Sequence, residues 1–165
     1  MKRVFILMVF TIMAIGASAQ VTYNVRAGIG GMNTHTEDSF DYPYWDHHCD
    51  LEMTFSCGVM AQANIPFNKH GKFSFSPTVL LDLSEEYKEL YVPLFLGYKI
   101  GIGHKKLFFP KIGAAFVYTN CNEAQWGVTT DLAFEFNHLV IGVFGCATVE
   151  SDEGHCIFAT IGYKF

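Results

Sequence analysis

From Val21 to Phe165, apolar side chains recur at every second position. Between Glu89 and Gly103 the residues Leu90, Val92, Leu94, Leu96, Tyr98, Ile100 and Ile102 fall on one side of an extended chain. Tyr91, Pro93, Phe95, Gly97, Lys99 and Gly101 fall on the other. Successive side chains of a strand point to opposite faces, so a period of two predicts β-structure. Eight strands are expected, at about 21–31, 51–67, 73–83, 89–102, 107–119, 125–136, 138–149 and 155–165. Pro77, in mid-strand, has no N–H for the ladder and predicts either a bulge there or a different strand boundary.

The connections alternate in length. Residues 68–72, 103–106 and 137–138 make short turns, the other four connections are longer or more polar, and 32–50 is the longest. An even number of strands with short turns at one end and longer loops at the other is the pattern of membrane-spanning barrels. Both strand termini then lie at the short-turn end, which this reading places in the periplasm.

The two faces differ in chemistry. One face collects Val21, Tyr23, Val25 and Ile29, then Phe55, Val59 and Ile65, and continues through the Leu90 series to Ile157, Ile161, Tyr163 and Phe165, without a single Asp, Glu, Lys or Arg. The other face holds Arg26, Glu52, Asp82, Glu89, Lys99, Lys111, Asp131, Glu135 and Lys164 among many Gly, Ala and Ser residues. An apolar face toward lipid and a charged network in the lumen are expected. Eight strands leave room inside for side chains only, and buried charges must pair. The expected fold is therefore an all-β, eight-stranded antiparallel up-and-down transmembrane barrel.

The N-terminus adds an address. Lys2 and Arg3 precede the apolar run 4–15, and Ala17-Ser18-Ala19 is a small-residue cleavage site. Residues 1–19 are thus expected to be a signal peptide, with 20–165 forming one outer-membrane barrel domain. Of 11 basic residues, removal of Lys2 and Arg3 leaves 9 against 16 acidic, a formal charge of −7 that argues against nucleic acid as a partner. Beyond the leader no 18-residue apolar stretch occurs, so strands are the remaining way across a bilayer.

The fourth strand, Leu90-Tyr91-Val92-Pro93-Leu94-Phe95-Leu96-Gly97-Tyr98-Lys99, resembles the hydrophobic-x-hydrophobic-Pro-Leu-x-Leu-x-Tyr strand of the small outer-membrane β-barrel domain (porin) family common in Bacteroidota. Phe109-Pro110-Lys111-Ile112-Gly113-Ala114-Ala115 resembles the strand that follows it there, while Gly97 stands where the family usually carries a basic residue. The resemblance implies location in the bacterial outer membrane, contact with its lipid, and no shared catalytic constellation. It also implies that Tyr163 and Phe165 form the terminal aromatic signal read by the barrel-assembly machinery.

Candidate chemistry is sparse. Asp46-His47-His48-Cys49-Asp50 carries metal-ligating types in the longest loop, without a second ligand pair at fixed spacing, and a solvated surface loop is the expected reading. Tyr42, Tyr44 and Trp45 share that loop with His47 and His48, as a recognition surface or as part of the aromatic girdle. Two disulfide pairings are open: Cys146 with Cys156, opposite one another and inward in the last hairpin, and Cys49 with Cys121, in different loops at one end; Cys57 is expected toward lipid. Asp131 and Glu135, two alternate positions apart, are expected to pair with Lys99, Lys111 or Arg26. No Gly-x-Ser-x-Gly or phosphate-binding motif occurs. The expectation is a protein without catalytic residues, metal or cofactor, acting as a structural or surface-recognition barrel through its outward loops. The alternatives are a soluble exported lipocalin-like barrel and a lipid-modifying enzyme in the same membrane barrel.

Overall fold

The computed structural model describes residues 21–35, 51–67, 71–83, 89–119, 125–149 and 155–165. Residues 1–19, expected to form a signal peptide, the aromatic and histidine-rich segment (36–50), with Cys49, and Cys121 lie outside these residues. The strands are β1 (Thr22–His35), β2 (Leu51–Pro66), β3 (Phe73–Asp82), β4 (Glu89–Tyr98, resuming after Lys99 as Ile100–Gly103), β5 (Lys106–Thr119), β6 (Gln125–Phe136), β7 (Leu139–Thr148) and β8 (His155–Lys164). Each pairs antiparallel with its neighbour in sequence. β1 pairs with β8 from Asn24↔Lys164 to Asn33↔His155, so the sheet closes on itself. The result is a closed eight-stranded antiparallel β-barrel, with no helix among the described residues.

Burial follows the period of two. β7 alternates between exposed Leu139, Ile141 and Val143 and buried Val140, Gly142 and Phe144, and β6 alternates in the same way. Three details depart from the expected pattern. β1 extends to His35, pairing with Leu51, although apolar alternation stops at Gly30-Gly31; the partner strand supplies the hydrogen bonds that its own side chains do not predict. Ile65 has outward parity yet is only 6% exposed; its register partner on β3 is Phe75, and cross-strand partners stand close enough to shield one another. Finally, there is no bulge at Pro77. Pairing of β2 with β3 lapses between Gln62↔Thr78 and Ile65↔Phe75 and resumes in the same register, while Pro77 stays aligned with Leu94 on β4. A missing N–H removes a bond without requiring an extra residue.

The short connections are tight. Lys105 (φ 58°), Asn137 (φ 57°) and Gly71 (φ 64°) take the left-handed backbone that lets two strands reverse within a few residues. Backbone bonds carry the ladder on to this rim: Lys99 N–H donates to Lys72 O (2.7 Å), Asn137 N–H to Lys105 O (3.1 Å) and Lys164 N–H to His138 O (2.7 Å).

The interior is layered. Near the long-connection end, Met60, Leu80, Tyr91, Phe95, Ala115, Val117, Phe144, Cys146, Cys156 and Phe158 form one buried apolar cluster. Phe144 meets Tyr91, Phe95 and Phe158 with ring centroids 6.2, 6.3 and 6.5 Å apart. Near the turn end Phe109, Ala133 and Val140 form a second cluster. Polar and charged groups fill the space between. Gly162 is inward and in contact with this filling: a Cβ there would meet the backbone of Val25 and stand 2.7 Å from Arg26 Cγ. Gly162→Val should therefore overpack the lumen and cost about 1–3 kcal/mol. Equilibrium urea unfolding of the refolded protein measures this, and an unchanged midpoint would contradict the tight packing.

Candidate functional site in the barrel interior

Arg26 is wholly buried on β1, and its side chain crosses the lumen toward β6. There Arg26 Nη1 donates to Asp131 Oδ1 (2.9 Å) and Nη2 to Asp131 Oδ2 (2.6 Å), a two-point guanidinium–carboxylate pair. Lys111, on β5 beside Asp131 in the ladder, puts Nζ 2.7 Å from Asp131 Oδ2. One carboxylate thus answers two cations, which leaves positive charge to be dispersed over neutral acceptors. Gln62 on β2 takes part of it: Lys111 Nζ donates to Gln62 Oε1 (2.8 Å), while Gln62 Nε2 donates to Thr78 Oγ1 (2.9 Å) on β3. Arg26 Nη1 also donates to Thr160 Oγ1 (3.3 Å), which donates to Gly142 O (3.1 Å). Asn24 Nδ2 donates to Gln62 Oε1 (3.1 Å). Side chains of β1, β2, β3, β5, β6 and β8 are linked in one cross-lumen network.

The remaining inward charges form smaller groups. Lys164 Nζ lies 2.6 Å from Glu135 Oε2, so Lys164 is the partner of Glu135, and not Lys99, Lys111 or Arg26. β8 and β6 flank β7, and the Lys164 side chain reaches Glu135 across it on the inner face. Lys99 turns to the Phe109 ring, 5.1 Å from its centroid, and Lys111 lies over the same ring at 4.3 Å, giving a cation–π arrangement beneath the ion pairs. Near the long connections the Ser56 hydroxyl donates to Asp82 and the Tyr91 hydroxyl to Glu89. Among the described inward side chains, four cations (Arg26, Lys99, Lys111, Lys164) balance four carboxylates (Asp82, Glu89, Asp131, Glu135). Glu52 pairs in the ladder with Thr34.

Gln62 and Thr160 carry no motif signal in the sequence, and Phe109 enters there only within the strand resemblance. Their inward parity was legible, but nothing local marks them as partners of Arg26 or Lys111. Cys146 and Cys156 are direct register partners, both buried, and their thiols are free; Cys57 is exposed on the outer face. Tyr42, Tyr44, Trp45, His47 and His48 lie outside the described residues, and no group of His, Cys, Asp and Glu among the described residues could hold a metal ion. His138 stacks on Tyr163 at 5.2 Å, and Phe165 N–H donates to Tyr23 O (2.8 Å), tying the terminal aromatics to the closing seam.

The network is built to neutralise charge and to hold strands. Its carboxylates are engaged, and the apolar cluster lies between it and the long-connection end. Removing Asp131 would leave Arg26 and Lys111 buried without a counter-charge. Asp131→Ala should cost about 3–5 kcal/mol, whereas the triple variant Arg26→Met/Lys111→Met/Asp131→Leu, which leaves neither cation of the triad stranded, should recover most of that loss. Denaturant midpoints of the two variants provide the check, and equal losses in both would show that volume rather than charge decides.

No protein-family model and no curated protein matches the sequence. The fold does match solved structures. Neisserial surface protein A superposes with a TM-score of 0.64 at 6% identity, covering 87% of this chain and 94% of that one. The outer membrane protein OprG from Pseudomonas aeruginosa superposes with a TM-score of 0.54 at 10% identity, covering 87% and 95%. This chain therefore shares the architecture of small eight-stranded outer-membrane barrels at a sequence identity that carries the fold alone.

Proposed function

We propose that this protein is an exported bacterial outer-membrane barrel with a sealed lumen, and that its specific work is surface recognition or envelope structure through the long connections rather than catalysis. It fits the porin-like domain family that its fourth strand resembles. The observation that carries the reading is the distribution of charge. Between Tyr23, Phe73, Tyr98, Phe108 and Tyr163 near one rim and Phe55, Tyr118 and Trp126 near the other, the outward positions of the described strands carry no charged residue, while Arg26, Lys111, Asp131 and Glu135 are buried inside. A water-soluble lipocalin-like barrel requires the opposite arrangement.

The dimensions support the same reading. From Phe108 to Tyr118 on β5 the chain climbs ten residues, roughly 33 Å along the strand, or about 25 Å along the barrel axis at the usual tilt. That height suits the apolar band of an outer-membrane barrel flanked by aromatic girdles. Ring contacts mark both belts: Phe73–Tyr98 (5.1 Å) and Phe108–Phe134 (4.9 Å) at one, Phe116–Trp126 (3.6 Å) at the other. The short turns would face the periplasm, the segments around Tyr42, Tyr44, Trp45, His47 and His48 the exterior. Tyr163 and Phe165, exposed beside the seam, would serve the barrel-assembly machinery. Interior carboxylates already bound to cations support a non-catalytic role.

Cell fractionation with surface proteolysis should recover the protein in the outer membrane, in a folded form with heat-dependent gel mobility, cleaved from outside only within the long connections. Planar-bilayer recordings should show no conductance steps above background, since the aromatic cluster closes the lumen. A monomer that stays in solution without detergent would exclude the membrane reading.

A further inference from the structure

We propose that the short-turn rim is a docking surface for anionic phospholipid headgroups in the leaflet it meets; this rests on the membrane reading above. Lys72, Lys105 and Lys106 are exposed at this rim, and Lys99 and Lys164 are half-buried behind them. The carboxylate described near them is Glu135, which is buried and bound to Lys164. The three exposed lysines make no ion pair among the described residues. The sequences of the long connections have the reverse composition: 36–50, 84–88, 120–124 and 150–154 contain eleven carboxylates and one lysine.

The rim is also held in place. The backbone bonds Lys99 N–H to Lys72 O, Asn137 N–H to Lys105 O and Lys164 N–H to His138 O fix the order of these groups around the opening. Lys105 stands at a left-handed position, φ 58°, where Gly or Asn would be less strained.

What meets the rim follows from its surroundings. It adjoins an outward aromatic belt in which Phe73 touches Tyr98, Phe108 touches Phe134 and Tyr163 touches Phe165. Such belts sit at headgroup depth. A lysine just beyond them lays its methylene stem along the apolar wall and carries its ammonium to the phosphate level. A zwitterionic headgroup offers no net charge in return, whereas a phosphatidylglycerol headgroup offers one negative charge at that depth. A soluble polyanion would meet the lysines but gain nothing from the belt.

The full chain reconstituted in phosphatidylcholine vesicles, with spin-labelled phosphatidylglycerol or spin-labelled phosphatidylcholine as probe, tests this. Electron paramagnetic resonance reads the motionally restricted fraction of each lipid. Wild type should favour phosphatidylglycerol by on the order of fivefold at low salt, and the preference should shrink in about 0.5 M salt. The variant Lys72→Gln/Lys105→Gln/Lys106→Gln should insert as well as wild type and lose most of the preference. Equal restriction of both probes by inserted wild-type protein, or a preference unchanged in the triple variant, would overturn the proposal and leave the membrane reading intact. Binding of dextran sulfate through these lysines without lipid preference would assign the rim to a soluble polyanion and would overturn it too. Failure to insert into either bilayer would overturn both the membrane reading and this inference.

Discussion

Asp131 is the charge on which the interior depends. It accepts a two-point bond from Arg26 and a third contact from Lys111, at the centre of a lumen that has no bulk water to solvate any of them. Neither cation could remain there alone, and the carboxylate could not remain without them. Because the partners stand on β1, β5 and β6, satisfying Asp131 requires the strands to be arranged around a common axis, not merely paired with their neighbours. The ladder joins adjacent strands; this triad and its Gln62 and Thr160 contacts reach across the opening. The apolar clusters on either side raise the electrostatic stakes, since a low-dielectric surrounding strengthens a satisfied pair and penalises an unsatisfied one.

The same arrangement connects sequence to outer surface. A strand with one apolar face must turn that face toward something apolar. Here the large aliphatic and aromatic residues of the outward positions, such as Ile29, Phe55, Leu96 and Ile157, remain exposed, while the inward positions are crowded with Phe144, Phe158, Tyr91 and the ion network. With the lumen already full, the outer wall has no protein partner inside the barrel, and acyl chains are the solvent that suits it. Filling the interior and facing lipid are thus two sides of one constraint.

Much of the architecture was legible in the chain because a period of two is a local signal, repeated eight times and punctuated by turns at Gly71, Lys105 and Asn137. The inward positions of Arg26, Lys111 and Asp131 followed from parity alone. Their partnership did not. Asp131 could be matched on paper with any of several cations; closure of β1 on β8 brings Arg26 to it, while Lys164 reaches across β7 to Glu135. The aromatic filling was similarly hidden. Parity places Phe95, Phe109, Phe144 and Phe158 inside, but an expectation of a polar lumen underweights how much ring volume eight strands enclose. The end of β1 was misjudged because Gly30, Gly31 and Asn33 break the alternation that ladder bonds to β2 do not need. Pro77 misled in a complementary way, since a lost donor was equated with a lost register.

The aromatic layer beneath the long connections has one more implication. Tyr91, Phe95, Phe144 and Phe158 close the lumen with contacts made among themselves and with Met60 and Leu80, all on strands. The barrel's closure is therefore complete below the level at which the connecting segments begin. Those segments are free to diverge, lengthen or be exchanged with little penalty to the platform under them. A small protein built this way can change what it presents to its surroundings over evolutionary time while conserving the means by which it stands.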